Sequence, residues 1–162
     1  MVIGADPVEE GFIENVRRPG GNITGTAFAT DPAIAGKYIE FLRDVVPGLR
    51  RVGQVVDRGQ PDIIYRNAFA QAALKLGLTV QTTEIGTPNA IEKAFASIAE
   101  AGAQAVWVHG SSLFYHQRYQ IALVAAKHKL ADIYVAKGWV QAGGLMSYGV
   151  NLSDLRRRAA VD

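Results

Sequence analysis

The stretch Ala105-Val106-Trp107-Val108-His109-Gly110-Ser111-Ser112 decides the fold class of this chain. Its first residues, 105–108, are apolar without a break, whereas a strand with one face in water alternates apolar and polar residues. An unbroken apolar strand is covered on both faces, which is typical of parallel sheets. Small and hydroxyl residues follow it and indicate a loop. The stretch therefore predicts a buried parallel strand that ends in a polar loop.

Strand and helix patterns alternate on both sides of this stretch. Apolar residues recur with helical spacing in some segments, and short apolar runs bounded by Gly, Pro or polar residues mark the strands. The patterns predict helices over 31–47, 62–76, 88–98 and around 121–128, loops over 110–114 and 137–139, and strands over 51–57, 78–85, 105–109, 133–136 and 145–150. Asp31 and Thr87, each followed by Pro, are the predicted N-caps of the first and third helices. Repeated strand–helix units with short connections predict an α/β fold with a doubly wound, mostly parallel sheet and helices on both faces.

Composition limits the classes of function. The chain has 162 residues, of which 49% are hydrophobic and 20% charged, as expected of a globular protein with one core. The net charge of +2 is small and the charges are scattered, so binding to nucleic acid is not indicated. The absence of cysteine excludes disulfides, thiolate metal sites and a cysteine nucleophile.

Catalytic and cofactor motifs are weak in this sequence. Ser111 lacks the G-x-S-x-G turn that exposes a nucleophile, and His109 is better explained as a satisfied core or strand-end histidine. His116 and His128 lack the spacing of metal ligands. The glycine-rich segment 20–25 lacks the Lys-Ser/Thr pair of a phosphate-binding loop. We therefore expect no enzyme activity, no metal and no cofactor.

The loops after the strands are the expected place for a ligand, because ligands of parallel α/β sheets bind beyond the carboxyl ends of the strands. These loops are rich in small, hydroxyl, amide and aromatic groups. That mixture suits a polar small molecule held by hydrogen bonds against an aromatic wall. The candidate ligand-binding residues are Asp6, Arg58, Gln60, Ser111, Ser112, Trp139 and Tyr148.

Two glycine-marked phrases stand near the ends of the chain, Arg18-Pro19-Gly20-Gly21-Asn22-Ile23-Thr24-Gly25 and Ala142-Gly143-Gly144-Leu145-Met146-Ser147-Tyr148-Gly149. Before and between them come Asp6-Pro7-Val8, Gly36-Lys37 and Pro47-Gly48-Leu49-Arg50-Arg51-Val52. In this order the motifs resemble the substrate-binding proteins of ABC-type importers, and more narrowly the branch related to tryptophan- and tyrosine-binding proteins. The resemblance spans essentially the whole chain. It implies a type I periplasmic-binding-protein-like lobe with flavodoxin-like topology.

The resemblance also implies a domain organisation. A full protein of the family is about twice as long, with two α/β lobes joined by a hinge and a ligand clasped between them. Residues 1–29 would be the end of the first lobe and the hinge crossover, and residues 30–162 would be the second lobe, incomplete at its C-terminus. Both ends of the chain look cut, as in an excised fragment or a natural truncation. No export signal is recognised in this chain, although the resemblance implies a periplasmic or extracytoplasmic location.

The family's site carries over onto particular positions. Asp6 would face the cleft from the first lobe and suit a ligand ammonium group. Ser111, Ser112, Trp139 and Tyr148 would offer hydroxyls and an aromatic surface from the second lobe. The loop 110–112 departs from many relatives, which carry an acidic residue and a proline there.

Two functions of different classes follow. The first is a non-catalytic receptor for a small solute such as an amino acid, which delivers it to a membrane permease and its ATPase. The alternative is a ligand-sensing regulatory domain of the same fold, joined to a DNA-binding or signalling module. In a partial chain the lobe-facing surface would be exposed, and it could drive self-association.

Overall fold

The computed structural model describes residues 8, 11–15, 17–22, 32–60, 63–149, 151 and 157. Contacts divide the chain into two units, Pro32–Gly149 on the one hand and Met1–Asp31 with Val150–Asp162 on the other. In the second of these, the amide of Gly11 donates to the carbonyl of Val8 and the amide of Arg18 to that of Asn15, and these bonds close two turns. The lobe boundary after residue 29 stays a prediction.

The unit Pro32–Gly149 alternates helices and strands. Its sheet contains five strands in the order β2-β1-β3-β4-β5, and all neighbouring strands are parallel. The α/β class, the doubly wound sheet and the flavodoxin-like order are therefore confirmed. The elements are α1 (Ile34–Val45), β1 (Arg51–Asp57), α2 (Ile63–Lys75), β2 (Thr79–Ile85), a 3-10 turn (Pro88–Ala90), α3 (Ile91–Glu100), β3 (Ala105–Val108), α4 (Ser112–His116), α5 (Arg118–Lys127), β4 (Ala131–Tyr134), α6 (Lys137–Val140) and β5 (Met146–Ser147).

Helices cover both faces of the sheet. On one face, α1 and α2 pack on a core that includes Tyr38, Leu42 and Trp107. On the other face, α3 and α5 pack against the strands, and α3 comes close enough that a Cβ on Gly53 would lie 2.7 Å from Ile98 Cγ2. A glycine in the middle of β1 is therefore required by this helix–sheet contact. None of the helices in the described ranges is long and apolar enough to cross a membrane.

Three local predictions are wrong. β4 covers Ala131–Tyr134 and not 133–136, because Ala131 donates its amide to Gln104 and pairs with Ala105, so the strand begins level with β3. The loops expected over 110–114 and 137–139 each contain a short helix, α4 and α6. The last strand is limited to Met146–Ser147.

Helix starts also differ from the predicted caps. Thr87 lies in extended conformation before Pro88, but its side chain makes no capping hydrogen bond. The N-cap of α1 is Ala33, again without a side-chain bond, and the predicted cap Asp31 lies outside the described residues. In α1, burial of the apolar stripe that includes Tyr38 and Leu42 therefore replaces capping as the main source of stability.

Candidate functional site

The carboxyl ends of the parallel strands meet at one edge of the sheet. The chain passes from β1 to the outer strand β2 and then returns to β3 on the other side of β1. The connections after β1 and β3 therefore leave in opposite directions, and such a switch point forms the binding crevice of doubly wound sheets. Arg58 and Gln60 follow β1, whereas Ser111 and Ser112 follow β3. Four of the predicted site residues thus flank the switch point.

The loop after β1 is held in a tight turn by the buried side chain of Asp57. Its Oδ1 accepts a hydrogen bond from the amide of Gly59 at 2.8 Å, and its carbonyl accepts one from the amide of Gln60 at 3.1 Å. The turn leaves Arg58 and Gln60 exposed. Arg58 lies across Gly86 at the end of β2, where a Cβ would be 3.6 Å from its Cδ. A guanidinium and an amide are therefore presented to solvent at the edge.

The loop after β3 is fixed by a helix cap. Ser111 Oγ accepts a hydrogen bond from the amide of Phe114 at 3.1 Å, so Ser111 is the N-cap of α4. As the acceptor in that bond, the hydroxyl can still donate its proton to a ligand. Ser112 is the first residue of α4 and is exposed. The two serines therefore supply hydroxyl groups from a rigid turn.

A row of hydrogen-bonded polar side chains lies next to the switch point. His109 Nε2 is 3.3 Å from Gln54 Oε1, and Gln54 Nε2 donates to Thr82 Oγ1 at 2.8 Å. This row of hydrogen bonds connects the residue after β3 with β1 and β2. The imidazole also lies against Trp107, with ring centroids 3.8 Å apart. The side chain of His109 is thus held by Gln54 on one side and by Trp107 on another.

The charge state of His109 follows from its surroundings. Burial, together with the smaller effect of the nearby positive charge of Arg66, lowers the pKa of His109 to about 3. The imidazole is therefore neutral near pH 7. Its Nδ1 is buried and has no hydrogen-bond partner in the described structure. The strand-end position agrees with the sequence interpretation, but the expectation of a satisfied histidine is wrong at this atom.

Trp139 is enclosed by protein. Its side chain is 1% exposed, stacks on Tyr134 with ring centroids 4.5 Å apart, and meets Tyr115 edge-to-face at 6.3 Å. In this structure the indole therefore offers no open ring face, although the sequence led us to expect an aromatic surface from it. A ligand role for Trp139 stays a prediction that would require α6 to move.

Tyr148 is an exposed aromatic residue at this edge. It is 41% exposed, and its ring packs on Phe41 with centroids 5.1 Å apart. Its backbone is held on both sides, since its amide donates to Tyr134 O and its carbonyl accepts from Tyr38 Oη, each at 2.9 Å. The phenol is thus carried on a fixed backbone at the end of β5.

The structure places the predicted residues along one edge without joining them. Within the described ranges, no hydrogen bond or ring contact links two of the predicted site residues directly. Asp6 lies outside the described residues. Across the same ranges, no group of three His, Cys, Asp or Glu side chains is placed to hold a metal ion. The edge can therefore form hydrogen bonds, and we find no nucleophile paired with a base.

Sequence reasoning missed two residues that organise this edge. Gln54 orients His109, and Tyr38 holds the backbone of Tyr148. Gln54 could have been identified from the sequence, because it is the polar residue inside an otherwise apolar strand and a buried amide needs hydrogen-bond partners. The role of Tyr38 could not be identified from the sequence, since it lies on the apolar stripe of α1 like any core residue.

Known proteins resemble this chain over almost its whole length. The tyrosine-binding protein of Clostridioides difficile (strain R20291) is 24% identical over 160 residues, which is 98% of this chain and 45% of that protein. Among solved structures, the ABC domain in complex with L-Trp from Streptococcus pneumonia superposes with a TM-score of 0.81 at 22% identity, covering 97% of this chain and 52% of that one.

A second structure agrees in fold. The ligand-free, open form of a substrate-binding protein with adhesive properties from Clostridium difficile has a TM-score of 0.74 at 22% identity, covering 98% of this chain and 53% of that one. The chain thus spans about half the length of these relatives. The family "ABC transporter substrate binding protein" matches residues 1–161. The chain therefore belongs to the ABC transporter substrate-binding protein family.

Proposed function

We propose that this chain supplies one wall of a solute site in the substrate-binding component of an ABC-type importer. The observation that carries the proposal is the family match over residues 1–161. The solute is a small polar molecule, and an amino acid is the first class to test. One relative is named a tyrosine-binding protein, and a structure of the same fold contains L-Trp.

The chemistry of the edge supports this class of ligand. Arg58 can pair with a carboxylate, since a guanidinium offers donors in a planar fork. Gln60 and the serine hydroxyls can donate or accept hydrogen bonds. Tyr148 supplies an aromatic face together with a phenol. These groups bind and orient a zwitterion and have no means of cleaving it.

The second wall of the site belongs to the first lobe in this proposal. Residues 1–29 complete that lobe and the hinge, residues 30–162 form the second lobe, and Asp6 receives the ligand ammonium group. Outside the cytoplasm the two lobes close on the solute, and this closure signals occupancy to the permease and, through it, to the ATPase. The family match favours this receptor over a regulatory domain.

The experiment is a calorimetric titration of the protein with its natural flanking sequence against L-tyrosine, L-tryptophan and other amino acids. We expect saturable binding without turnover. Arg58→Ala and Tyr148→Ala should each weaken binding about tenfold or more, because every tenfold change corresponds to about 1.4 kcal/mol. The matched control is Arg50→Ala, since Arg50 is also exposed but precedes β1 at the opposite edge of the sheet.

Each outcome bears on a different part of the proposal. Binding of another solute class, with the same dependence on Arg58 and Tyr148, would remove the amino-acid assignment and keep the site. Equal losses in Arg58→Ala and Arg50→Ala would remove the site. Steady consumption of the bound solute would overturn the receptor function itself.

A further inference from the structure

A stripe of exposed side chains runs along α4 and α5. Tyr115, Tyr119 and Leu123 are 42%, 62% and 70% exposed. Successive members are four residues apart, which places them on one helix face. The two helices are nearly continuous, because Gln117 donates its amide to Leu113 O and accepts from Ile121 N. The stripe is therefore one surface and not a set of scattered apolar residues.

Arg118 lies within this stripe between the two tyrosines. Its Cζ is 4.6 Å from the ring centroid of Tyr115 and 4.7 Å from that of Tyr119. Its Nη1 donates to the carbonyl of Tyr115 at 2.8 Å. These contacts hold the guanidinium in one orientation, and the remaining N–H groups can still be donated. Arg118 is thus a pre-oriented cation in an aromatic frame.

The charged residues of the segment that carries the stripe are almost all basic. Residues 101–149 contain a single acidic residue, Asp132, and it is buried. The basic residues of the same segment are Arg118, Lys127, Lys129 and Lys137. Lys127 is paired with Glu92 of α3 at 2.5 Å, whereas no ion pair found in the described ranges involves Arg118. Charge complementarity therefore calls for a carboxylate from outside this surface.

The composition of the stripe is that of a protein interface. Tyr and Arg are enriched among residues that dominate binding energy, and aromatic residues with Arg are enriched at interfaces while acidic residues are depleted. Anionic membranes and nucleic acids instead select clusters of several basic residues, and Arg118 is the single cation within the stripe. A symmetric pairing of two copies through this stripe would offer Arg118 no carboxylate, since the stripe itself contains no acidic residue.

We propose that Tyr115, Arg118, Tyr119 and Leu123 form a docking surface for a partner protein that presents a carboxylate to Arg118 and apolar side chains to Leu123. The surface is connected with the candidate ligand edge. Tyr115 meets Trp139 edge-to-face, and a Cβ on Gly138 would lie 2.8 Å from Tyr115 Oη. A partner that presses on Tyr115 therefore contacts a side chain that supports α6 at the end of β4.

The test is site-specific photo-crosslinking in the producing cell, with the protein carrying its natural flanking sequence. A benzophenone amino acid replaces Leu123 in one variant. In the control it replaces Leu74, which is 67% exposed but lies on α2 at the opposite face of the sheet. The crosslinked peptide is identified by mass spectrometry. We expect a partner peptide that contains Asp or Glu from position 123 and none from position 74.

Charge reversal then tests the role of Arg118. Arg118→Glu should reduce the crosslink about tenfold or more, and exchanging the partner's carboxylate residue for arginine should restore it. An unchanged unfolding midpoint in Arg118→Glu shows that the surface is still folded. The proposal is overturned by a crosslink that ignores Arg118→Glu, by one to lipid, to a second copy or to the flanking sequence of the same chain, or by the absence of any crosslink.

Discussion

Tyr134 and Trp139 stack with their ring planes 11° apart, and Gly144 lies against the edge of the tyrosine ring. The amide of Gly144 donates to Trp139 O at 3.0 Å, which brings the two segments into contact. Asp132 also holds Tyr134 and the segment after α6 together, since it accepts hydrogen bonds from Tyr134 Oη and from the amide of Leu145. The second glycine of the 142–149 phrase therefore has a steric cause.

Replacing Gly144 by alanine should destabilise the protein. The added Cβ would lie 2.9 Å from Tyr134 Cδ2, closer than real Cβ contacts come, and 3.1 Å from Trp139 O, which is a tight contact. Either the aromatic stack or the backbone must shift, and such overpacking costs about 1–3 kcal/mol. Urea unfolding followed by far-UV circular dichroism measures the loss of free energy.

Gly36→Ala is the control for Gly144→Ala. Gly36 lies inside α1, and a Cβ there would meet nothing within 4 Å. Alanine has the higher helix propensity, so this variant should gain about 0.5–1 kcal/mol. If both variants lost the same free energy, the packing explanation for Gly144 would be contradicted.

Trp139→Phe should change stability and leave ligand affinity nearly unchanged. The indole is enclosed by Tyr134 and Tyr115, so a smaller ring leaves a gap in the core and costs about 0.5–3 kcal/mol. Calorimetric titration with L-tyrosine and L-tryptophan, the solutes that the proposal tests first, gives the affinity, and urea unfolding gives the stability. A large loss of affinity with unchanged stability would mean that Trp139 contacts the ligand after α6 has moved.

The extent of β1 could be predicted to the residue, because an apolar run between Arg51 and Asp57 is bounded by charges and followed by a turn. β4 could not. The run Ile133-Tyr134-Val135-Ala136 is as apolar as a strand, but pairing with β3 starts the strand at Ala131. An unbroken apolar run has no alternation between apolar and polar residues, and that alternation is what fixes the register of a strand. The order of the strands likewise came from the family resemblance and not from the periodicity.

The candidate edge was predictable as a place and only in part as chemistry. Strand ends identify the loops that carry Arg58, Gln60, Ser111 and Ser112, since parallel strands end together. The enclosure of Trp139 depends on residues from α4, β4 and the segment after α6, which are brought together only by the fold. No local pattern distinguishes such a tryptophan from one that faces a cleft.

Lys129→Gly should stabilise the C-terminus of α5. Lys129 has φ +55°, in the left-handed region that disfavours side chains with a Cβ. Its amide donates to Ala126 O and the next amide, Leu130 N, donates to Ala125 O, so the helix ends in a Schellman motif. Glycine relieves the backbone cost, and we expect a gain of about 0.5–1 kcal/mol in thermal or urea unfolding.

Gly77→Ala is the matched control at the end of α2. The same motif ends that helix, with Gly77 at φ +73° and no atom within 4 Å of a Cβ. Alanine there introduces the backbone cost without a clash and should lose about 1 kcal/mol. A loss on Lys129→Gly would show that contacts of the lysine side chain outweigh its backbone strain.

His109 should make the protein less stable as the pH falls below 6.5. Burial lowers the pKa of His109 to about 3 in the folded protein, against 6.5 when it is exposed. Protons therefore bind first to the unfolded chain, and the stabilisation present above pH 6.5 is lost progressively towards pH 3. The loss attributable to this group is at most about 1.4 kcal/mol per pH unit.

Urea unfolding of the wild type and of His109→Gln at pH 7.5, 6 and 5 separates the contribution of His109 from that of other titrating groups. His109→Gln should show a shallower pH dependence than the wild type because it removes the buried titrating group. Parallel slopes in wild type and His109→Gln would mean that the imidazole reaches water and titrates normally in the folded state.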